Sequence, residues 1–370
     1  MDFVVKKNEL LRELQYAQGG VERKATVPIL SNLLLETTGN TLVVTATDLD
    51  VTMQCTCPAS IKASGALAVS ARKLFDIVRF LPEADIHFKS DGQSWIQITC
   101  ERAKFKIASL SKENFPDIPS LDMKTISLPA QPLHYMGTRC AFAITQEESR
   151  YTLNGGLMIV DPGSITFVAT DGHRLVFISH AVKTEGVESE IRILVPKKTL
   201  NELSKLTAEA ETDAQIEFGH SENHLFFKIG ERLLVSRVLT GQFPNYRMVI
   251  PQENDKCALL SAADFGAALK RVSIMADEES HSVRFSVKKD QLDIQSSGTE
   301  IGEAKETMSA DYQGEDLEIG FNARYVLDFL AGLGSAEIEL HLRDGDTQGL
   351  FKPKPQGDYQ HQYVLMPMKL

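Results

Sequence analysis

The chain has 370 residues, of which 43% are hydrophobic and 24% charged, with a formal net charge of −11. This suits a soluble globular protein of two or three domains. No apolar run reaches bilayer-spanning length, residues 1–7 lack a secretory leader, and a cytosolic protein is expected. The acidic balance argues at first sight against a nucleic-acid binder, because affinity for phosphate comes from Lys and Arg.

Five cysteines (Cys55, Cys57, Cys100, Cys140 and Cys257) make an odd set without a His or Cys partner at zinc-site spacing. Cys55 and Cys57 alternate along an apparent strand and point to one face. All five read as plain buried or half-buried thiols, and neither a metal nor a cofactor is expected.

One order of elements recurs three times at roughly 125-residue spacing. Each unit opens with a short strand and an amphipathic helix. Residues 8–18 place Leu10, Leu11, Leu14 and Ala17 on one face. Residues 131–143 and 262–274 repeat the pattern, the latter with Phe265, Leu269 and Val272. A hairpin follows: 33–36 with 42–48, 156–160 with 165–171, and 283–287 with 292–294, each around a turn of Gly, Pro, Asn or Lys-Asp type. The hairpins of units one and two end in the same phrase, Ala46-Thr47-Asp48 and Ala169-Thr170-Asp171. A strand then runs into a second helix at 70–81, 196–206 and 322–331, with Pro196 expected at a first helical position. A closing hairpin ends each unit, followed in the first two by Asn114-Phe115-Pro116-Asp117 and Gln242-Phe243-Pro244-Asn245. The plan predicts an α+β fold with antiparallel sheets and helices on one face, in domains 1–122, 126–250 and 254–370.

The charge is unevenly spread. The six helical windows together carry +5, which leaves −16 on the rest of the chain. Arg72, Arg79, Arg139, Lys198, Lys205, Lys270, Arg271 and Arg324 lie on their polar faces. Weakly basic helices beside an acidic remainder suit a protein that meets phosphates on one surface only.

With the threefold repeat, the phrases 169–175, 243–246, 151–155, 27–30 and the terminal Met366-Pro367-Met368-Lys369-Leu370 resemble the β subunit family of bacterial DNA polymerase III, over the whole chain. The resemblance implies a DNA sliding clamp. Two three-domain copies close head to tail into a homodimeric ring, with sheets outside and two helices per domain lining the interior. Twelve helices about 10 Å apart give a circumference of roughly 120 Å and a hole wider than a duplex. Retention on DNA is then topological and independent of DNA sequence.

Carried over from the family, the DNA-facing positions are Lys24, Arg72, Gln146, Arg150, Tyr151 and Lys198. Thr152 stands where a second aromatic is expected. A pocket for short linear peptides from the replicative polymerase, the clamp loader, other polymerases and repair proteins is implied at Leu153, Thr170, Gly172, His173, Arg174, Leu175, Pro244, Val249, Asn322, Tyr325, Val364, Met366, Pro367 and Met368. Flexible Met side chains suit such a pocket. Met248, Ser280 and Lys369 depart from the family pattern and leave the peptide preference open. At the ring seam, Ile274 and Met275 are expected to supply apolar contact. Arg102 and Lys104 are expected to face Glu303 and Glu306.

Two other readings stand beside this one. Asp171-Gly172-His173 invites an acid–base enzyme, but serine-hydrolase, phosphate-loop and metal-helix motifs are absent. Asp48 also recurs at the place of Asp171 with no His nearby, which points to a structural role. A repeat-built adaptor that binds proteins without encircling DNA is the alternative.

Overall fold

Six amphipathic segments fold as α1 (Lys7–Ala17), α2 (Ala71–Phe80), α3 (Ala130–Cys140), α4 (Lys197–Ala208), α5 (Ala262–Val272) and α6 (Ala323–Ala331) in the computed structural model, which describes residues 1–22, 27–90, 94–298, 302–334 and 336–369. Side chains cap several starts. Ser70 accepts from the Lys73 N–H, Ser261 from Asp264, and Asn322 Oδ1 from both Arg324 and Tyr325. Leu10, Leu14 and Ala17 of α1 are buried as their spacing predicts, and Phe265, Leu269 and Val272 of α5 likewise. Pro196 is not the first helical residue. It ends the strand Ile191–Pro196, and α4 begins at Lys197. The six helices together carry +6.

Every strand pairing is antiparallel, and each domain repeats one two-part plan. The first part is the predicted hairpin, a third strand after it and the strand before the second helix. It comprises Asn32–Thr38, Thr41–Thr47, Val51–Pro58 and Ala66–Ser70 in domain one. Domain two uses Gly155–Asp161, Ser164–Thr170, Arg174–Ala181 and Ile191–Pro196. Domain three uses Ser282–Lys288, Gln291–Gly298, Gly302–Ser309 and Leu317–Asn322. The second part joins the opening strand to the end of the domain. That end is a three-stranded meander rather than the expected hairpin: Asp85–Ser90, Trp95–Cys100 and Ala103–Ser111 in domain one, for example.

Ladders also cross between domains. Val51–Pro58 pairs with Arg232–Arg237, and Arg174–Ala181 pairs with Tyr359–Leu365. In both cases the third strand of one domain's first part meets the last strand of the next domain's second part. The chain accordingly forms two compact units, Met1–His134 with Asn201–Val238, and Tyr135–Leu200 with Leu239–Leu370. Domain two contributes its second part to one and its first part to the other. In the first unit a buried ion pair backs the ladder. Glu13 of α1 accepts two 2.8 Å hydrogen bonds from Arg232, whose guanidinium lies 3.9 Å over the Tyr16 ring.

The repeated Thr-Asp phrase builds the same turn twice. Thr47 Oγ1 accepts from the Leu49 N–H, and Asp48 Oδ1 from Asp50 and Val51. Thr170 Oγ1 accepts from Gly172, and Asp171 Oδ1 from His173 and Arg174. This is the structural role expected of both aspartates. The following residue has positive φ in each, Leu49 at 78° and Gly172 at 91°. A β-carbon is disfavoured there. Leu49→Gly is therefore expected to stabilise the protein, and Gly172→Ala to destabilise it, each by about 1 kcal/mol. Urea unfolding of both variants checks this; shifts of the same sign would show that φ does not distinguish the two turns.

Candidate functional site

Strand pairing sets Leu175 opposite Val364, and Val364 opposite Leu350, on one sheet face. These three join Leu157, Val168 and Tyr246 in one apolar cluster, against which Phe243, Val249 and Ile250 of the following linker pack. Beside this cluster lies a cavity of about 600 Å³ lined by Phe177, Tyr246, Ile250, Leu350 and Gln362 among others, and none of the fourteen predicted pocket residues lines it. Past the last strand, the Met366 N–H donates to His173 O (2.9 Å) and the Met368 N–H to Gly320 O (2.8 Å). The segment after the last strand is thereby stitched to the Asp171 turn and to strand Leu317–Asn322. Met366 and Met248 stay exposed, the latter at 81%.

The fourteen predicted pocket residues divide by what their side chains do. Leu175, Val249 and Val364 form apolar wall. His173 is exposed and lies against the Tyr325 ring, centroids 6.4 Å apart. Leu153, Pro367 and Met368 are half-buried, and Pro244 is exposed. Thr170, Gly172, Arg174 and Asn322 instead build the frame. The Thr170 hydroxyl donates to Arg174 O at 2.6 Å. Asn322 caps α6, and its amide donates to Ser280 O at 3.0 Å, so Ser280 enters through its backbone.

Arg174 is the centre of that frame, 9% exposed. Its Nε donates to Asp171 (2.9 Å), Nη1 to Asp328 of α6 (2.6 Å) and Nη2 to Phe142 O (2.8 Å). The guanidinium lies 4.2 Å from the centroid of the Tyr325 ring. One planar fork thus ties the turn, α6 and the chain after α3 together. Asp328 and Phe142 hold Arg174, and Tyr246 joins the apolar cluster; sequence reasoning named none of the three as a site residue. Asp328 sits 154 residues from Arg174, and no local pattern joins them.

Of the DNA-facing set, Lys24 lies outside the described residues. Arg72 projects from α2 with 91% of its side chain exposed, and Gln146 is exposed. Arg150 is held at 3.2 Å from Glu147 and donates to Asp171 O at 2.6 Å, reaching the same turn as Arg174. Tyr151 is half-exposed, and Lys198 is partly exposed on α4. Its neighbour Lys197 turns inward to Ile144 O (2.7 Å), where burial and then Arg174 depress its ammonium pKa.

Of the seam set, Ile274 is 74% exposed and Met275 is half-buried. Arg102, Lys104 and Glu303 are exposed. Glu306 already has a partner in its own chain, because Arg271 grips it through Nε at 2.9 Å and through Nη2. Four cysteines are buried as expected, but Cys257 is exposed. It also has a neighbour that linear spacing hides, His341, directly across the ladder. No helix among the described residues is long and apolar enough to cross a membrane.

Three family models cover nearly the whole chain: the N-terminal, central and C-terminal domains of the DNA polymerase III beta subunit match residues 1–119, 127–245 and 247–369. A beta sliding clamp from Pseudomonas putida is 35% identical over 376 residues, covering all of both chains. The solved sliding clamp from Pseudomonas aeruginosa bound to griselimycin is 32% identical and superposes with a TM-score of 0.93 over both full lengths. Caulobacter crescentus pol III beta gives 34% identity and a TM-score of 0.89, again over both full chains. The chain therefore belongs to the DNA polymerase III beta subunit family, the sliding clamps, with three clamp domains of antiparallel sheet and paired helices.

Proposed function

We propose that two copies of this chain close head to tail into a ring around duplex DNA, and that the ring holds the replicative polymerase to its template. The observation that carries this is the pairing rule between domains. The third strand of domain one pairs with the last strand of domain two, and the third strand of domain two with the last strand of domain three. Among the described residues, the corresponding strand of domain three, Gly302–Ser309, ladders only with Gln291–Gly298. In the last strand of domain one, residues 103–108 ladder only with Trp95–Cys100. Each copy thus keeps one unused edge of each kind, and a second copy supplies the complement of both.

Ile274 and Met275 lie beside that seam, Met275 being the side chain nearest to Gly302. Apolar contact and strand pairing dominate closure. Exposed ion pairs such as Arg102 or Lys104 with Glu303 add little each. The domains are taken as 1–122, 126–250 and 254–370. Within the ring, Lys24, Arg72, Gln146, Arg150, Tyr151 and Lys198 face DNA without gripping it, which permits sliding. The pocket around Leu175, His173, Val364 and Met366 captures short linear peptides of polymerases, the clamp loader and repair proteins. A solved Pseudomonas aeruginosa clamp is bound to griselimycin, and a mostly apolar wall with a few polar groups, as here, is the general form of a ligand pocket.

The test is retention after verified loading on a nicked circle and on the same DNA linearised. The wild type is expected to stay on the circle and to leave through free ends. Ile274→Asp places a charge at the seam, and is expected to leave both within the mixing time. Equal retention of the wild type on both would establish ordinary surface contact and end the ring reading. Rapid loss of the wild type from both would favour the protein-binding adaptor.

A further inference from the structure

Strand Lys256–Ser261 pairs with Glu337–Leu342, and this ladder sets Cys257 opposite His341. Glu339, two residues before His341, projects from the same face. The donor atoms converge. Cys257 Sγ is 3.9 Å from His341 Nε2, and that nitrogen is 3.2 Å from Glu339 Oε2. All three donors lie within 4.8 Å of one another. Zinc bonds to thiolate, imidazole and carboxylate imply donor separations of about 3.3–3.6 Å in a tetrahedral site. The Cys257–His341 pair needs to close by a few tenths of an ångström, and the Cys257–Glu339 pair, which lies within 4.8 Å, by up to about 1 Å, a change that side-chain rotation supplies.

We propose that Cys257, Glu339 and His341 form a binding site for a thiophilic divalent cation, zinc above all, with a fourth position open to water. The chemistry of the set favours this over a magnesium or calcium site, which takes oxygen donors. One thiolate, one carboxylate and one neutral imidazole neutralise a dication. On binding, the thiol gives its proton to solvent, and the imidazole keeps one proton, moved to Nδ1, so that Nε2 offers its lone pair. Lys354 supports the arrangement, holding Glu339 Oε1 at 3.3 Å and leaving Oε2 turned to the centre. Lys256 points away, its ammonium bonded to Arg343 O at 3.0 Å. The site uses none of the fourteen predicted pocket residues. It clips strand Lys256–Ser261, which is held on its other flank through Leu259 and Asp311.

Cobalt(II) titration of the untagged full chain tests this, because a thiolate–cobalt bond gives a charge-transfer band in the near ultraviolet. The expected result is a band saturating at one cobalt per chain, bleached by zinc, and absent from Cys257→Ser. His341→Ala is expected to weaken binding by about tenfold to a hundredfold or more, since outer-shell partners alone are worth that. Zinc should also slow alkylation of Cys257 by a maleimide in the wild type, a readout that needs no variant. The absence of any band, a band that survives Cys257→Ser, or alkylation indifferent to zinc would each overturn the proposal.

Discussion

Replacing Arg174 by alanine is expected to cost about 3–5 kcal/mol in the unit that holds the proposed peptide pocket, the range for removing one partner of a buried charge network. The guanidinium is 9% exposed and gives each of its three nitrogens to an acceptor. Its loss strands Asp171, whose own side chain is 13% exposed, without the cation that neutralises it. Asp328 can turn to water, being 46% exposed, so most of the cost falls on the Asp171 turn and on Phe142 O. Arg174→Lys keeps the charge but not the fork and is expected to fall between. Amide exchange along Arg174–Ala181 and Tyr359–Leu365 reads the effect, as a rate increase on the order of 10²-fold to several 10³-fold. Because Arg174 frames the pocket without lining it, weakened peptide capture should track this loosening across both variants. Unchanged exchange in Arg174→Ala would show that the network contributes nothing net.

The contrast between what was legible in the sequence and what was not follows the range of the interactions. The threefold plan was legible because periodicity and turn chemistry are local. Thr47-Asp48 and Thr170-Asp171 sit 123 residues apart, and each shapes only the next three residues. Helix ends came out within three residues for the same reason. Arg174 with Asp328, Glu13 with Arg232, and Cys257 with His341 were not legible. They are separated by 154, 219 and 84 residues, and only strand pairing or domain packing brings them together. Resemblance supplied Thr170, Arg174 and Asn322 as pocket positions but not their work. A matched motif marks a position under constraint without saying whether the side chain touches a ligand or holds the wall. The unused strand edges were equally invisible, since an edge exists only once every other pairing is assigned.

His361 should make this protein lose stability in acid. It is 1% exposed, neither ring nitrogen has a hydrogen-bond partner among the described residues, and it packs edge-on against Phe329 and Tyr135. Burial, then the nearby Arg139 charge, pushes its pKa down from 6.5 to about 3. Between those values the unfolded chain binds a proton that the folded chain refuses. Stability from this group is therefore intact above about pH 6.5 and drains as pH falls toward 3, by about 1.4 kcal/mol per unit. At about pH 5 the loss is roughly 2 kcal/mol. His361→Phe keeps an aromatic of similar shape and removes two buried polar atoms that satisfy nothing, so it is expected to be at least as stable as the wild type near neutrality. Denaturation of both proteins at about pH 7.5 and about pH 5 isolates the term, because every other titrating group cancels in the difference of differences. The variant should gain roughly 2 kcal/mol on the wild type over that interval. Parallel losses in the two proteins would mean that His361 takes up its proton in the folded state, with water or a shifted neighbour reaching the ring.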